Sequence, residues 1–205
     1  SLRDLFLTHN LFGLNVTIPF KQKVISQLDS LDEISQQIYA VNTIKPFFKN
    51  NELFSLKGYN TDVYGFKQMV KPYLKSHHTK ALVLGTGGAS KAVAYVLNAY
   101  NIDVNFISRN KFPSLNNYFT WNQLNSHMVA GHYIIINTTP VGMYPDVDQE
   151  IKISYDNLTS KHLVIDLIYN PDQTLFLKKA LLKNAQIING YQMLVYQALK
   201  AWDIW

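Results

Sequence analysis

The hexapeptide Gly85-Thr86-Gly87-Gly88-Ala89-Ser90 directly follows the apolar run Ala81-Leu82-Val83-Leu84 and opens a helical pattern. Glycines at a strand-to-helix turn let backbone N–H groups approach a ligand, and the dipole of the helix start favours an anion such as a pyrophosphate. Ser90 stands where the dinucleotide fingerprint has its third glycine, so the strand-turn-helix context carries the assignment more than the spacing does. A plain tight turn is the alternative. The next apolar segment ends in Ser108-Arg109-Asn110-Lys111. An acid there would bond the ribose hydroxyls of NAD and repel a 2′-phosphate; the cations of Arg109 and Lys111 beside Ser108 favour NADP, against the alternative of a solvated basic loop. Upstream, polar residues gather in three blocks: Asn15-Val16-Thr17-Ile18-Pro19-Phe20-Lys21, Ala40-Val41-Asn42-Thr43 and Gly58-Tyr59-Asn60-Thr61-Asp62-Val63-Tyr64-Gly65.

These groups need elements to hold them. Before the polar stretch Lys75-Ser76-His77-His78-Thr79-Lys80, the pattern predicts a helix fragment over 2–7, a short strand over 14–18 and a helix over 21–28. Strands follow over 40–45 and 53–57, flanking a polar turn at Asn50-Asn51, and a helix runs from Thr61-Asp62, either of which can cap it, to Tyr73. A domain boundary falls at 75/76. Beyond it, strands over 81–84, 104–108, 133–137, 163–167 and 186–188 alternate with helical patterns, among them 89–100. Apolar runs of this kind are strands buried on both faces, and the alternation predicts a parallel sheet. The fold class is therefore α/β.

Composition narrows the setting. The chain has 205 residues, 47% hydrophobic and 16% charged, enough for one large or two small domains. Runs such as Tyr133-Ile134-Ile135-Ile136 are far shorter than the ~20 residues of a membrane span, and the opening SLRDLFLTHN lacks the basic start of a signal peptide. The absence of cysteine removes disulfides and thiol chemistry, and a cytoplasmic setting is expected. A net charge of +5 without a dense Lys/Arg block fits a small anionic ligand rather than nucleic acid. No metal is expected: Asp146 and Asp148 read as turn acids, and the histidines at 77, 78, 127, 132 and 162, without ligand spacing, read as solvated or capping residues. His9 reads as a helix end.

The three polar blocks, the glycine-rich turn, Asn137-Thr138-Thr139-Pro140-Val141-Gly142-Met143, Asp166-Leu167-Ile168-Tyr169-Asn170-Pro171 and Gly190-Tyr191-Gln192-Met193-Leu194-Val195-Tyr196-Gln197 together resemble shikimate dehydrogenase, in order and over essentially the whole chain. The resemblance implies a substrate-binding α/β domain (1–75), completed by a C-terminal helix over 191–205, and a Rossmann-type NADP-binding domain (76–190). It implies NADP-dependent interconversion of 3-dehydroshikimate and shikimate by a monomer or homodimer, a step of aromatic amino-acid biosynthesis. Lys21 and Asp62 stand at the positions of the catalytic pair. Moving a hydride to or from a carbon that bears oxygen needs a proton exchanged at that oxygen, which an amine and its ammonium can do; Asp62 would orient it. The substrate contacts carry over to Thr17, Asn42, Tyr169 and Gln197, and the cofactor contacts to Gly85, Thr86, Gly87, Gly88, Ala89, Ser108, Arg109, Lys111, Leu167 and Gly190. Asn137-Thr138-Thr139-Pro140 would form the loop beside the nicotinamide. Taken singly, Thr17 and Asn42 also suit turn or cap positions, Tyr169 a core aromatic and Gln197 a helix-surface amide.

The family's opening strand and G-x-P-x-x-H-S-x-S segment, whose serines hold the substrate carboxylate, do not occur before the NVT block. By that analogy the chain lacks roughly fifty residues, which would leave a sheet edge and an apolar face bare and weaken substrate binding. The stretch between Asn42 and Asp62, with Pro46-Phe47-Phe48-Lys49, is longer than usual and reads as an extended hairpin. Two alternatives remain open: a quinate/shikimate dehydrogenase of broader specificity, and a catalytically impaired fragment that binds NADP only.

Overall fold

The computed structural model describes residues 1–50, 52–112 and 114–205. Helix α1 (Leu2–His9) opens with a reciprocal cap: Ser1 Oγ accepts from the Asp4 amide while the Asp4 carboxylate accepts from the Ser1 amino group. His9 ends it, as expected. A first sheet is built from β1 (Leu14–Asn15), β2 (Ser30–Leu31), β3 (Thr43–Lys49) and β4 (Glu52–Tyr59) in the order β1-β3-β4-β2. Strand β3 is antiparallel to β1 and β4, and β2 is parallel to β4. Helix α2 (Glu33–Ile38), capped by the Asp32 carboxylate, follows β2, and α3 (Asp62–Val70) follows β4. The long hairpin is present with a register irregularity at Phe47/Phe48. Asn50 adopts the left-handed region (φ 52°), and Asn51, the other half of the expected turn, lies outside the described residues.

The second sheet holds β5 (Lys80–Leu84), β6 (Asp103–Ser108), β7 (Tyr118–Thr120), β8 (Ile134–Asn137), β9 (Leu163–Asp166) and β10 (Gln186–Ile188), all parallel, in the order β10-β9-β8-β5-β6-β7. Its central strands β5, β8 and β9 are apolar except at one end each because both faces are covered. Ala81, Val83, Ile134 and Ile136 face α4 (Gly88–Ala99), while Leu82, Leu84, Ile135 and Val164 face α5 (Ser126–Gly131) and α6 (Leu175–Leu181). The strand order reverses on either side of β5, so the point where such sheets take their ligands lies at its carboxyl end, where α4 begins.

Packing does not stop at the expected boundary. The α4 face of the second sheet shares one core with Ala40, Val63, Phe66, Met69 and Val70 of the first part. The last helix, α7 (Tyr191–Ile204), returns to the first part and lies along α3. Gly65 makes the approach possible: a Cβ there would stand 2.7 Å from the Met193 carbonyl. Beyond α7, Trp205 Nε1 donates to the Ile44 carbonyl at 3.1 Å, and Lys45 Nζ donates to the carbonyl of Ile204.

Several local expectations are corrected. The predicted helix over 21–28 is only a five-residue 3-10 turn, Lys23–Gln27, with no side-chain cap and a single buried residue, Val24. The strand over 14–18 is two residues long, and the one over 40–45 starts at Thr43, because the Val41 amide goes to the Lys21 carbonyl and the Asn42 amide to that of Tyr59. Helix α3 does start at Thr61-Asp62, with Thr61 at the N-cap position, but neither side chain makes the cap bond; Asn60 Oδ1 accepts from the Val63 amide. Of the histidines read as solvated or capping, His78, His132 and His162 are buried rather than solvated, and His78 and His162 do cap, each accepting on Nδ1 from the backbone amide three residues before it.

Candidate active site

Lys21, just before the 3-10 turn, and Asp62, the first residue of α3, meet at 2.6 Å between Nζ and Oδ2, with side chains 14% and 6% exposed. Asn60, by capping α3, leaves the Asp62 carboxylate free for this pair. The other carboxylate oxygen accepts from Asn42 Nδ2 at 2.9 Å, and the same amide group reaches Thr61 Oγ1 at 3.0 Å. Asn42 Oδ1 in turn accepts from the Thr61 amide at 2.8 Å. Asn42 is buried where the chain enters β3, so its amide fixes the carboxylate from behind. Gln197, on α7, joins through Oε1, which accepts from Thr61 Oγ1 at 3.3 Å, while its Nε2 donates to the Leu194 carbonyl. Thr61 and Asn60 thus belong to the site, although the sequence marked Thr61 only as a helix start and gave Asn60 no role.

A second contact joins this cluster to the glycine-rich turn. A Cβ placed on Gly88 would lie 3.3 Å from Lys21 Cβ and 3.4 Å from its Cδ, so the lysine stem runs across the first turn of α4. Gly85 has φ +109°, a conformation side chains resist, and a Cβ there would also strike Thr138 Oγ1 at 2.8 Å. Around Gly87 the space is open, and no side chain caps α4. Ser90 fits the third-glycine place by turning its hydroxyl onto the Gly87 carbonyl at 2.7 Å.

The arrangement sets a buried amine–carboxylate pair beside an uncapped helix start suited to an anion, and comparison with known proteins bears on what it serves. Residues 2–44 match the family described as shikimate dehydrogenase substrate binding domain. The shikimate dehydrogenase (NADP(+)) of Methanococcus aeolicus is 40% identical over an alignment that covers 94% of this chain and 72% of that protein. The chain belongs to the shikimate dehydrogenase family. Among solved structures, the shikimate 5-dehydrogenase of Thermus thermophilus in complex with NADP(H) and shikimate superposes with a TM-score of 0.82 at 27% identity, covering 100% of this chain and 76% of that one. The quinate dehydrogenase of Corynebacterium glutamicum in complex with NAD gives 0.81 at 27% identity, with 99% and 75% covered.

Within this shikimate dehydrogenase fold the remaining residues fall at the carboxyl edge of the second sheet or beside β1. Thr86 and Ala89 are half-buried in the turn. Ser108 ends β6 buried, and its hydroxyl accepts from the Asn110 amide at 3.1 Å; it shapes the loop from which Arg109 and Lys111 project exposed. Leu167 and Gly190 touch so closely that a Cβ on Gly190 would stand 2.0 Å from the Leu167 carbonyl oxygen, and the Gly190 amide donates to the Ile168 carbonyl. Tyr169 is exposed after β9. Thr17 is exposed after β1 and is not drawn into the Asp62 cluster. Two buried polar residues end β8 and β9: Asn137, which the sequence placed only in the loop expected beside the nicotinamide, and Asp166, to which it gave no role; burial pushes the Asp166 carboxyl up to about 6, against the hydrogen bonds of Thr174, Ile168 and Asn137. The signal that could have singled them out is a polar residue closing an otherwise apolar parallel strand.

Proposed function

We propose that the chain catalyses the reversible, NADP-dependent reduction of 3-dehydroshikimate to shikimate, with Lys21 and Asp62 as its acid/base apparatus. The observation that carries the reading is the close approach of the Lys21 stem to Gly88: the group able to exchange a proton and the helix start suited to a pyrophosphate lie side by side. The residues fit a dinucleotide. The start of α4 is free of side-chain caps, the space before Gly87 is open, and two exposed cations follow β6 where a 2′-phosphate would lie. Gly85, Thr86, Gly87, Gly88 and Ala89 would hold the pyrophosphate, Arg109 and Lys111 the 2′-phosphate on a loop shaped by Ser108, and Leu167 with Gly190 the nicotinamide end. When bound, NADPH supplies the hydride.

Lys21, as ammonium, gives a proton to the substrate oxygen as the carbonyl becomes an alcohol, and as amine it takes that proton back in the reverse direction. Asp62 holds Nζ in place, and Asn42 holds Asp62, so the donor's direction is set by two hydrogen bonds in series. Thr17, Tyr169, Asn42 and Gln197 supply hydroxyl and amide groups suited to a polyhydroxylated ring; Gln197 would exchange one of its present bonds to do so.

The test follows NADPH absorbance after addition of 3-dehydroshikimate, with NADH, quinate plus NAD(P), and Lys21→Ala as parallel arms. The expected result is turnover with NADPH, far less with NADH, and a loss of about a hundred-fold or more in Lys21→Ala with NADPH affinity nearly unchanged. NADPH binding without turnover would mark the chain as a binding module, and faster turnover of quinate would mark the broader enzyme.

A further inference from the structure

Among the described residues, the Lys21–Asp62 pair makes no hydrogen bond to the loops that leave β8 and β9, the first of which reaches the glycine-rich turn through Thr138. One buried side chain binds both loops, beside the backbone bonds from the Leu167 amide to the Asn137 carbonyl and from the Tyr144 amide to the Asn170 carbonyl. Asp166, fully buried at the end of β9, accepts through Oδ1 from Asn137 Nδ2 at 2.9 Å and from the Ile168 amide at 3.1 Å, and through Oδ2 from the Thr174 hydroxyl at 2.6 Å. Each partner governs a different segment. Asn137 ends β8, and its Oδ1 accepts from both the amide (2.8 Å) and hydroxyl (2.7 Å) of Thr139. Ile168 leads to Tyr169, and Thr174 is the N-cap of α6.

A carboxylate buried among three uncharged donors is costly to keep charged, and its loss would leave those three donors unpaired. Its position joins two segments that no other single side chain among the described residues joins by hydrogen bonds. On one side the loop it fixes through Asn137 closes on the glycine-rich turn: Thr138 Oγ1 donates to the Leu84 carbonyl at 2.8 Å and abuts Gly85. On the other side it sets Leu167 and Ile168, whose carbonyls are in contact with Gly190 and its amide.

We propose that Asp166 is a positioning residue for hydride transfer, whose carboxylate holds the 138–141 and 167–169 loops together so that the nicotinamide end of the cofactor is fixed while the adenosine end is held elsewhere. This deepens the functional reading above and rests on it.

The test compares the parent chain with Asp166→Ala by titrating two nucleotides: NADPH, and 2′-phospho-ADP-ribose, which carries the same phosphates without the nicotinamide. The inference expects Asp166→Ala to bind 2′-phospho-ADP-ribose within about two-fold of the parent and to lose about ten- to a hundred-fold in kcat, because misplacement of the reacting ends is felt in the chemical step. A purely structural role would weaken both nucleotides alike. Should Asp166→Ala not fold, Thr174→Val removes one donor to the carboxylate; it should lower kcat in the same pattern, and Thr174→Ser should restore it. Unchanged kcat in these variants, equal weakening of both nucleotides, or no restoration by serine overturns the inference alone. A parent chain that binds neither nucleotide overturns the functional reading, and this inference with it.

Discussion

Asp62 carries two duties at once, closing an ion pair with Lys21 and receiving the Asn42 amide, and these can be separated by mutation. Removing one partner of a buried pair leaves the other charge uncompensated at about 3 to 5 kcal/mol, whereas replacing both by apolar groups is often neutral. Asp62→Leu is therefore expected to lower the urea midpoint strongly, and Lys21→Met/Asp62→Leu to recover a large part of that loss. Activity should not return in the double variant, because no group remains to exchange the proton. Recovery of both would contradict the role given to Lys21. The residue types here were legible in the sequence because the blocks that hold them are short and contiguous. What joins them was not: Asn42, Thr61 and Gln197 meet only after α7 folds back, and nothing local tells that Asn60 rather than Thr61 caps α3.

At the scale of elements, α7 reaches the site only because α3 offers it a residue without a side chain. A Cβ on Gly65 would press within 2.7 Å of the Met193 carbonyl and 3.0 Å of Gln197 Cβ. Gly65→Ala should move α7 outward, costing about 1 to 3 kcal/mol in denaturation, and should raise KM for the substrate through Gln197 while leaving NADPH affinity near the parent value. An unchanged KM would remove Gln197 from the substrate side. The parallel strands β5, β8 and β9 were visible in the sequence because burial on both faces makes a run of three or four successive positions apolar in each. Strands β1, β2 and β7 have two or three residues each, too few for a period, and the apolar spacing over 21–28 mimicked a helix although only Val24 is buried there. The Asn137, Asp166 and Thr174 cluster was equally hidden, since its members lie on three different elements.

For the whole molecule, the amino edge of the second sheet sets the response to acid. His78 accepts from the Lys75 amide on Nδ1 and meets the Lys161 carbonyl through Nε2; His162 accepts from the Thr159 amide and meets the Val129 carbonyl; His132 meets the Met128 carbonyl through Nδ1 and Asn105 Nδ2 through Nε2. In each ring one nitrogen faces an N–H donor, so the neutral form is the one that fits. Burial lowers all three below the ordinary 6.5. Their unfolded forms therefore take up protons first, and the stability they contribute is present above about pH 6.5 and is lost as pH falls below it. Asp166 has the opposite sign: its raised carboxyl, at about 6, binds a proton in the folded chain before the unfolded one and returns stability from about pH 6 down to about 4. The thermal midpoint should fall from pH 7.5 to about 6 in the parent chain, His162→Gln should flatten that fall, and Asp166→Asn should steepen the loss below pH 6. A midpoint independent of pH across that window would sink the assignment. Strand β5 runs from Lys80 at the histidine edge to Leu84 at the ligand edge, a span of about 13 Å. The histidines' share of the acid response and the chemistry of the site thus lie at opposite ends of one strand, so those imidazoles can be exchanged without touching Lys21 or Asp62, whereas Asp166 has a part in both.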